Sequence, residues 1–552
     1  MERIWLKSYP QGVPADVSLD PNTSAVDLFD SATREFASKT AYISMGASLS
    51  YAELDRRSAQ FAGYLQSIGV GKGDRVALMM PNLLQYPIAL FGTLRAGAVV
   101  VNCNPLYTPR ELEHQLKDSG TTTIVILENF AHTLEKVIGQ TAVRHVVVTS
   151  IGEMLSGVKG AIVNLVVRKV KKLVPPWHLP QAITFKAALG KGSGRPYQRP
   201  SINAADIAFF QYTGGTTGVS KGAILTHGNI VANVIQAQAW IDRVIRKGEE
   251  FIVTALPLYH IFALTANCLT FMRIGATNLL IANPRDLPNF IKEWRKYPVT
   301  VFTGVNTLFN ALLNNEEFRR LDFSSLRLTL GGGMAVQKAV ADRWHAVTST
   351  TLTQAYGLTE TSPAATINPL IEGNGFNGAI GLPIPSTEVS IRDDLGAELV
   401  VGETGEICIR GPQVTQGYWQ RPDETEKVFF ADGFLKTGDM GYVDAQGYVY
   451  LVDRKKDMIL VSGFNVYPNE VEDVIALHPD VVEVAAIGVP DEQSGEVVKA
   501  FVVRSNESLT AEDIIKHCKE NLVNYKCPKQ IEFRKELPKT NVGKILRRAL
   551  RD

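Results

Sequence analysis

The chain has 552 residues, 45% of them hydrophobic and 20% charged, with a formal net charge of +1. That length exceeds what one hydrophobic core serves, so two or more domains are expected, and the composition is that of a folded globular protein. Near-neutrality argues against bulk nucleic-acid binding, and five scattered cysteines outside CxxC spacing argue against a disulfide framework or zinc site and read as reduced intracellular thiols.

The opening MERIWLKSYPQG lacks the basic-then-apolar layout of a signal peptide. From Leu49 to Val70 apolar residues recur at helical spacing, and GDRVALMM follows as a buried strand. PNLLQYPIALFGTLRAGAVVVNCNP and ELEHQLKDSGTTTIVILE repeat the helix-then-strand order. The alternation predicts an α/β fold of stacked layers around a largely parallel sheet, and it returns between Thr226 and Leu330.

Between Glu153 and Asp206 there is no acidic residue, but Lys159, Arg168, Lys169, Lys171, Lys172, Lys186, Lys191, Arg195 and Arg199 are present. Residues 157–180 mix an apolar stripe, a basic cluster and Trp177. That pattern suits peripheral contact with an anionic membrane, and equally a helix capping its own domain. Phe251 to Met272 carries no Asp, Glu, Lys or Arg and could cross a bilayer by length. Pro257, Tyr259, His260 and Asn267 interrupt it, so it reads as buried core.

After about Gly378 come short alternating strands (STEVSIRDD, GETGEICIRGP, GYVDAQGYVYLVDR), the last a hairpin turning at Ala445-Gln446-Gly447. The expected linker is DRKKD, Asp453 to Asp457, and a compact α+β tail follows. The domains are thus read as 1–455, with a β-rich, barrel-like part at about 380–455, and a small mobile unit at 456–552.

YTGGTTGVSKGAILTHGN, from Tyr212 to Asn229, combines a bare backbone, hydroxyls and one lysine. Glycines let amide N–H groups close on phosphate oxygens, and the lysine adds a point charge. A helix continuing directly from this loop would add its N-terminal dipole. The segment does not match GxxxxGK[ST], so it is not a P-loop by motif. QAYGLTETSP (Gln354 to Pro363) adds an aromatic ring, a hydroxyl and a carboxylate, and FLKTGDMG (Phe434 to Gly441) adds an aspartate after a glycine turn. VDRKKDMILVSGFNVYP and LPKTNVGKILRR complete the series.

With these five motifs in order along nearly the whole chain, the sequence resembles the adenylate-forming superfamily of acyl-CoA synthetases, adenylation domains and luciferases. VDRKKDMILVSGFNVYPNEVE with PKTNVGKILRR is most similar to bacterial long-chain fatty acyl-CoA ligases. The resemblance implies activation of a fatty acid by ATP to an acyl-adenylate, with loss of pyrophosphate, then transfer to coenzyme A. It implies that Thr213, Gly214, Gly215, Thr216, Thr217, Gly218 and Lys221 cradle the outer phosphates. Tyr356, Gly357 and Gly332 would lie beside adenine, Gly332 also beside the acyl channel. Thr359 would bond the α-phosphate, and Glu360 with Thr213 would hold Mg2+. Asp439 would accept from the ribose hydroxyls and Arg454 would reach the ribose or phosphates. His260 would stand near the acyl carboxylate, and Lys544 would bridge that carboxylate and the α-phosphate. Lys456 would be the hinge about which the tail rotates, and Gly463 would let the pantetheine arm of coenzyme A pass.

The candidate tunnel walls are Phe251–Met272 and Val301–Leu313. Leu264 stands where some long-chain ligases carry a gating tryptophan. An aryl- or medium-chain acid ligase, an enzyme loading acyl-AMP onto a carrier protein, a luciferase-type oxidase and a non-catalytic acyl or nucleotide sensor at membranes stay open. No carrier domain follows Lys544 before Asp552, which disfavours a fused assembly line. The expected location is cytoplasmic, peripheral on the inner membrane, and a homodimer is left open.

Overall fold

The computed structural model describes residues 2–213, 220–370 and 375–551. Among them the strands form four sheets of nine, seven, five and four strands. The nine-stranded sheet runs through Leu352–Gly357, Leu328–Gly331, Val301–Gly304, Phe251–Thr254, Thr277–Leu280 and Thr40–Ser44, all parallel. In the seven-stranded sheet, Ala182–Thr184, His145–Thr149, Thr123–Leu127, Arg75–Met79, Val99–Asn102 and Ile207–Thr213 are parallel too, and Lys221–Thr226 closes one edge antiparallel.

Runs such as VVVN and TIVIL are buried at every residue. Unbroken burial of that kind marks parallel strands covered on both faces. The helix Gln85–Arg95 is buried along its whole length and packs within the largest apolar core. Charge inside this layer is paired: the buried Arg95 meets Asp30 at 2.7 Å and also contacts Asp55. The strands Glu388–Arg392, Gly405–Arg410, Leu435–Val443 and Val449–Arg454 form the four-stranded antiparallel sheet, as the alternating pattern beyond Gly378 predicts. Its last hairpin turns where expected, with Asp444 Oδ1 accepting from the Gln446 and Tyr448 amides.

One local expectation is corrected. No helix follows directly from the glycine-rich loop, because KGAILT pairs back on Ile207–Thr213 as a strand. The helix begins only at His227, where Thr226 and Asn229 form a reciprocal N-terminal cap. Its positive end therefore starts six residues past Lys221 in sequence, at the far end of the hairpin strand.

Phe251–Met272 is core, as expected, with residues 263–270 wound as a π-helix. No helix among the described residues is long and apolar enough to cross a membrane. The C-terminal unit has a core of its own around Val471, Ile475, Val484, Val498 and Ile514. Its docking on the larger part includes three side-chain contacts. Thr307 Oγ1 donates to the Gly543 carbonyl at 2.7 Å, and Asn310 Nδ2 donates to the Val482 carbonyl at 2.6 Å. Arg547 meets Asp453 at 3.1 Å and Glu472 at 2.8 Å, so its cation is held by two buried carboxylates, and burial without it would strand both.

Candidate active site

A cavity with an empty volume of roughly 810 Å³, counting its open mouth, lies between the helix His227–Ile241, the π-helix 263–270, the ends of the strands Leu328–Gly331 and Leu352–Gly357, and Lys544. His260, Gly332, Tyr356, Gly357, Thr359 and Lys544 all line it. Residues separated by almost three hundred positions are thus brought to one space, and its walls are mostly apolar.

Backbone shape allows this convergence at two glycines. Gly333 has φ +78°, and a Cβ there would lie 3.2 Å from Lys544 Cε, so a bare main chain leaves the lysine room. Gly543, at φ +86°, turns the preceding loop so that the Lys544 amide donates to Thr540 Oγ1 at 3.1 Å. Gly357 is forced by packing: a Cβ would stand 1.7 Å from the Pro363 carbonyl oxygen.

Electrostatics at the mouth follow from burial. The Lys544 ammonium is pushed down to about 8 by desolvation and by Arg454, against the pull of Asp439 and Glu360. Burial, then Lys544, pushes the His260 imidazole down to about 3, so the ring is neutral at physiological pH. The Phe262 amide donates to His260 Nδ1 at 3.3 Å, which leaves the proton on Nε2 as a donor. The buried Asp439 carboxyl is raised chiefly by desolvation, opposed by Arg454 and by Tyr356. Tyr356 donates its hydroxyl to Asp439 at 2.7 Å, and Arg454 Nε stands 3.6 Å from the other carboxylate oxygen.

Glu360 follows Thr359 in a short 3-10 turn and accepts a hydrogen bond from the Tyr418 hydroxyl at 2.7 Å. The Tyr418 ring also carries Lys221, whose Nζ is 5.3 Å from the ring centroid and pairs with Glu424. Lys221 and Lys427 hold the Glu424 carboxyl down at about 2. Thr213 and Lys221 face each other across the hairpin that frames the loop. Gly214, Gly215, Thr216, Thr217 and Gly218 lie outside the described residues. Among the described residues no group of three His, Cys, Asp or Glu could hold a metal unaided. One carboxylate with a neighbouring hydroxyl suits Mg2+, which takes most of its oxygens from water and phosphate.

Among the expected residues, Thr213, Lys221, Glu360, Asp439 and Arg454 stand outside the cavity lining, and so do Lys456 and Gly463. Lys456 is exposed in the turn after Val449–Arg454, and Gly463 tips the hairpin Ile459–Val461/Phe464–Val466 with open space around it. With the Lys544 loop facing inward, this hairpin is turned outward. Val301–Leu313 is likewise not a cavity wall: Phe309 and Leu312 pack into a separate core, and Thr307 holds the Gly543 turn instead. The opposite wall comes from Asn233, Ala237 and Ile241, and Phe262 lines the cavity where Leu264 is buried in core. Tyr418 and Glu424 carried no motif of their own; the signal was only their nearness in sequence to Thr415, whose amide donates to the Glu360 carbonyl at 2.7 Å.

The AMP-binding enzyme family matches residues 29–419, and the AMP-binding enzyme C-terminal domain matches residues 470–544. The chain is 58% identical to a long-chain-fatty-acid–CoA ligase of Yersinia pestis, over 100% of this chain and 98% of that protein. Among solved structures it is similar to the anthranilate CoA ligase AuaEII in complex with anthranoyl-AMP, with TM-score 0.85, 27% identity and 97% of each chain covered. It is also similar to ATP-bound MatB from Rhodopseudomonas palustris, with TM-score 0.79, 28% identity and 96% and 98% covered.

Proposed function

This chain belongs to the AMP-binding enzyme family, and from that membership we propose that it is a long-chain fatty acid–CoA ligase. It joins a fatty acid to coenzyme A in two steps, using ATP and Mg2+. The carboxylate attacks the α-phosphorus of ATP, the bond to the β-phosphate oxygen breaks, and pyrophosphate leaves. The coenzyme A thiol then attacks the acyl carbon, AMP leaves, and the thiol proton is lost to solvent.

The carrying observation is that Lys544, from the far end of the chain, lines the same cavity as His260, Tyr356 and Thr359. In the first step the Lys544 ammonium bridges the two reacting anions and lowers the charge that builds between them. His260 Nε2–H orients the acyl carboxylate, and Thr359 donates to the α-phosphate. Asp439, with Tyr356 and Arg454 beside it, accepts the ribose hydroxyls. Glu360 and Thr213 would hold Mg2+, which would supply positive charge to the phosphates. Lys221 and the loop 214–218 take the outer phosphates. In the second step the unit 456–552 turns about Lys456, withdraws Lys544 and brings Gly463 to the pantetheine path. The domain division 1–455 and 456–552 belongs to this proposal. So does the orientation, since docking by Thr307 and Asn310 favours the first step.

The test is a panel of straight-chain acids from short to long, with aryl acids, assayed for AMP release with and without coenzyme A. AMP formed only with the thiol, and for long chains above the rest, is the expected result. Release that ignores the thiol overturns the second step.

Peripheral membrane attachment is part of the same reading. The helix Gly157–Leu165 turns Gly160 and Asn164 toward the protein, with Asn164 bonding the Gly152 amide at 2.8 Å and Ser150 Oγ at 2.9 Å. Val158, Ile162, Leu165, Val170 and Leu173 are instead 52–76% exposed. An apolar face pointing outward beside Lys169, Lys171 and Lys172 suits an anionic bilayer.

A further inference from the structure

The proposal concerns the chemical class of acid the cavity accepts, and it rests on the acyl-ligase reading above. Past His260 the cavity is walled by apolar side chains, among them Ile241, Ile261, Phe262 and Phe271. Two threonines break that surface. Thr265 and Thr270 both line the cavity, each is 1% exposed, and neither hydroxyl has a hydrogen-bond partner.

Their situation differs from that of the other polar side chains around them. Asn267, in the same π-helix, bonds Thr254 Oγ1 at 3.1 Å and accepts from Thr303 at 2.9 Å. Asn233, on the facing helix, makes a reciprocal pair with Ala364 at 2.8 and 3.0 Å. These amides are satisfied by the scaffold, and the hydroxyls of the two cavity-lining threonines are buried with no partner. A threonine inside a helix commonly bonds the carbonyl of the preceding turn, and here neither hydroxyl does. π-turns of this kind recur at functional sites. A plain alkyl chain would seal both hydroxyls in without a partner, which is the costly arrangement for a buried polar atom. Valine would fill the same shape with no such cost.

We propose that Thr265 and Thr270 recognise an oxygen carried along the acyl chain, so that the cavity takes in-chain hydroxylated long-chain fatty acids in preference to unsubstituted ones. Thr265 and Thr270 stand five and ten residues past His260 in sequence, five residues apart within the π-helix. They therefore read two separate positions on an extended chain. Each hydroxyl donates to, or accepts from, the substrate hydroxyl, and no covalent step is involved.

The test uses the full-length enzyme with octadecanoate and the series of its monohydroxy isomers, the hydroxyl moved stepwise along the chain, in pairwise competition for coenzyme A ester formation. The expected profile has maxima at up to two hydroxyl positions, each favoured about three- to ten-fold over octadecanoate. Thr265→Val should remove the maximum nearer the carboxylate and Thr270→Val the farther one, read as the ratio of kcat/KM to that for octadecanoate. Thr265→Ser and Thr270→Ser should keep both maxima, which separates recognition from packing. Octadecanoate preferred to every isomer, in wild type and valine variants alike, overturns the proposal while leaving the ligase reading intact. Octadecanoate not turned over at all overturns the reading beneath it.

Discussion

The hydroxyl of Thr307 donates to the carbonyl oxygen of Gly543 across 2.7 Å, one residue before Lys544. This single bond ties the turn that presents the lysine to the large part of the chain. Thr307→Val keeps the shape and removes the donor. A hydrogen bond of this kind contributes about 0.5–1.5 kcal/mol, so acyl-adenylate formation should slow by roughly three- to ten-fold. Thioester formation from supplied acyl-adenylate should hold or rise, because the inward orientation is the one being weakened. Equal slowing of the two half-reactions, measured by pyrophosphate release and by thiol consumption, would sink the docking role.

Lys544 itself gives the sharper version. Lys544→Ala should nearly abolish adenylate formation and spare the thiol step. The pH dependence follows from its depressed ammonium. In the free enzyme the charge is present below about 8 and is lost as pH rises through that value, so kcat/KM for adenylation should fall on the alkaline side. Lys544→Arg keeps its charge there; its rate should be lower throughout, because the guanidinium fits differently, but the alkaline fall should vanish. Stability runs the opposite way. Between about 8 and 10.5 the unfolded lysine binds a proton that the folded one has released, so this group favours the fold increasingly as pH rises. His260, neutral above about 3, adds no limb near neutrality.

Lys221 meets Glu424 before it meets phosphate. The pair is partly exposed, with side-chain exposures of 27% and 26%. Such pairs contribute roughly 0–1 kcal/mol. Glu424→Gln should therefore lower the KM for ATP by up to about five-fold, with less effect on kcat. Lys221→Ala should raise it. A raised KM in Glu424→Gln would mean that the carboxylate positions the lysine and does not compete for it.

Much of this was legible in the sequence because local patterns carried it. Period and burial agree from Leu49 to Ile126, where amphipathic helices alternate with fully apolar strands. The motif residues His260, Gly332, Tyr356 and Thr359 line one cavity. What stayed hidden depends on pairing and packing at long range. KGAILT is as compatible with a helix as with a strand until Ile207–Thr213 lies beside it. Val301–Leu313 is apolar enough for a tunnel wall, but Phe309 faces Trp344 and Phe302 in a separate aromatic core. Asn233, Ala237 and Ile241 looked like any helix face, and only the fold turns them to the cavity.

The segment 157–180 offers the last prediction, and here the structure sharpens the choice of residues. Arg168 is already held by Glu128, with Nη2 at 2.7 Å from the carboxylate, and Lys159 reaches the Met45 carbonyl. Neither is free for a headgroup. Lys169, Lys171 and Lys172 are exposed beside Val170 and Leu173. A cation near an anionic surface contributes ~1 kcal/mol, so reversing all three to Glu should cut partitioning onto vesicles of anionic phospholipid by roughly 100-fold or more. Val158, Ile162 and Leu165 add insertion: changing them to Ser should weaken binding even at high salt, where the lysines are screened. Flotation at low and high salt reads the two parts separately. Both sets of variants binding like wild type would leave the outward apolar face unexplained by lipid. Because Lys169, Lys171 and Lys172 are not among the residues that line the cavity, turnover of a short, soluble acid should be unaltered in the charge-reversed protein. Turnover of long chains delivered from vesicles should fall.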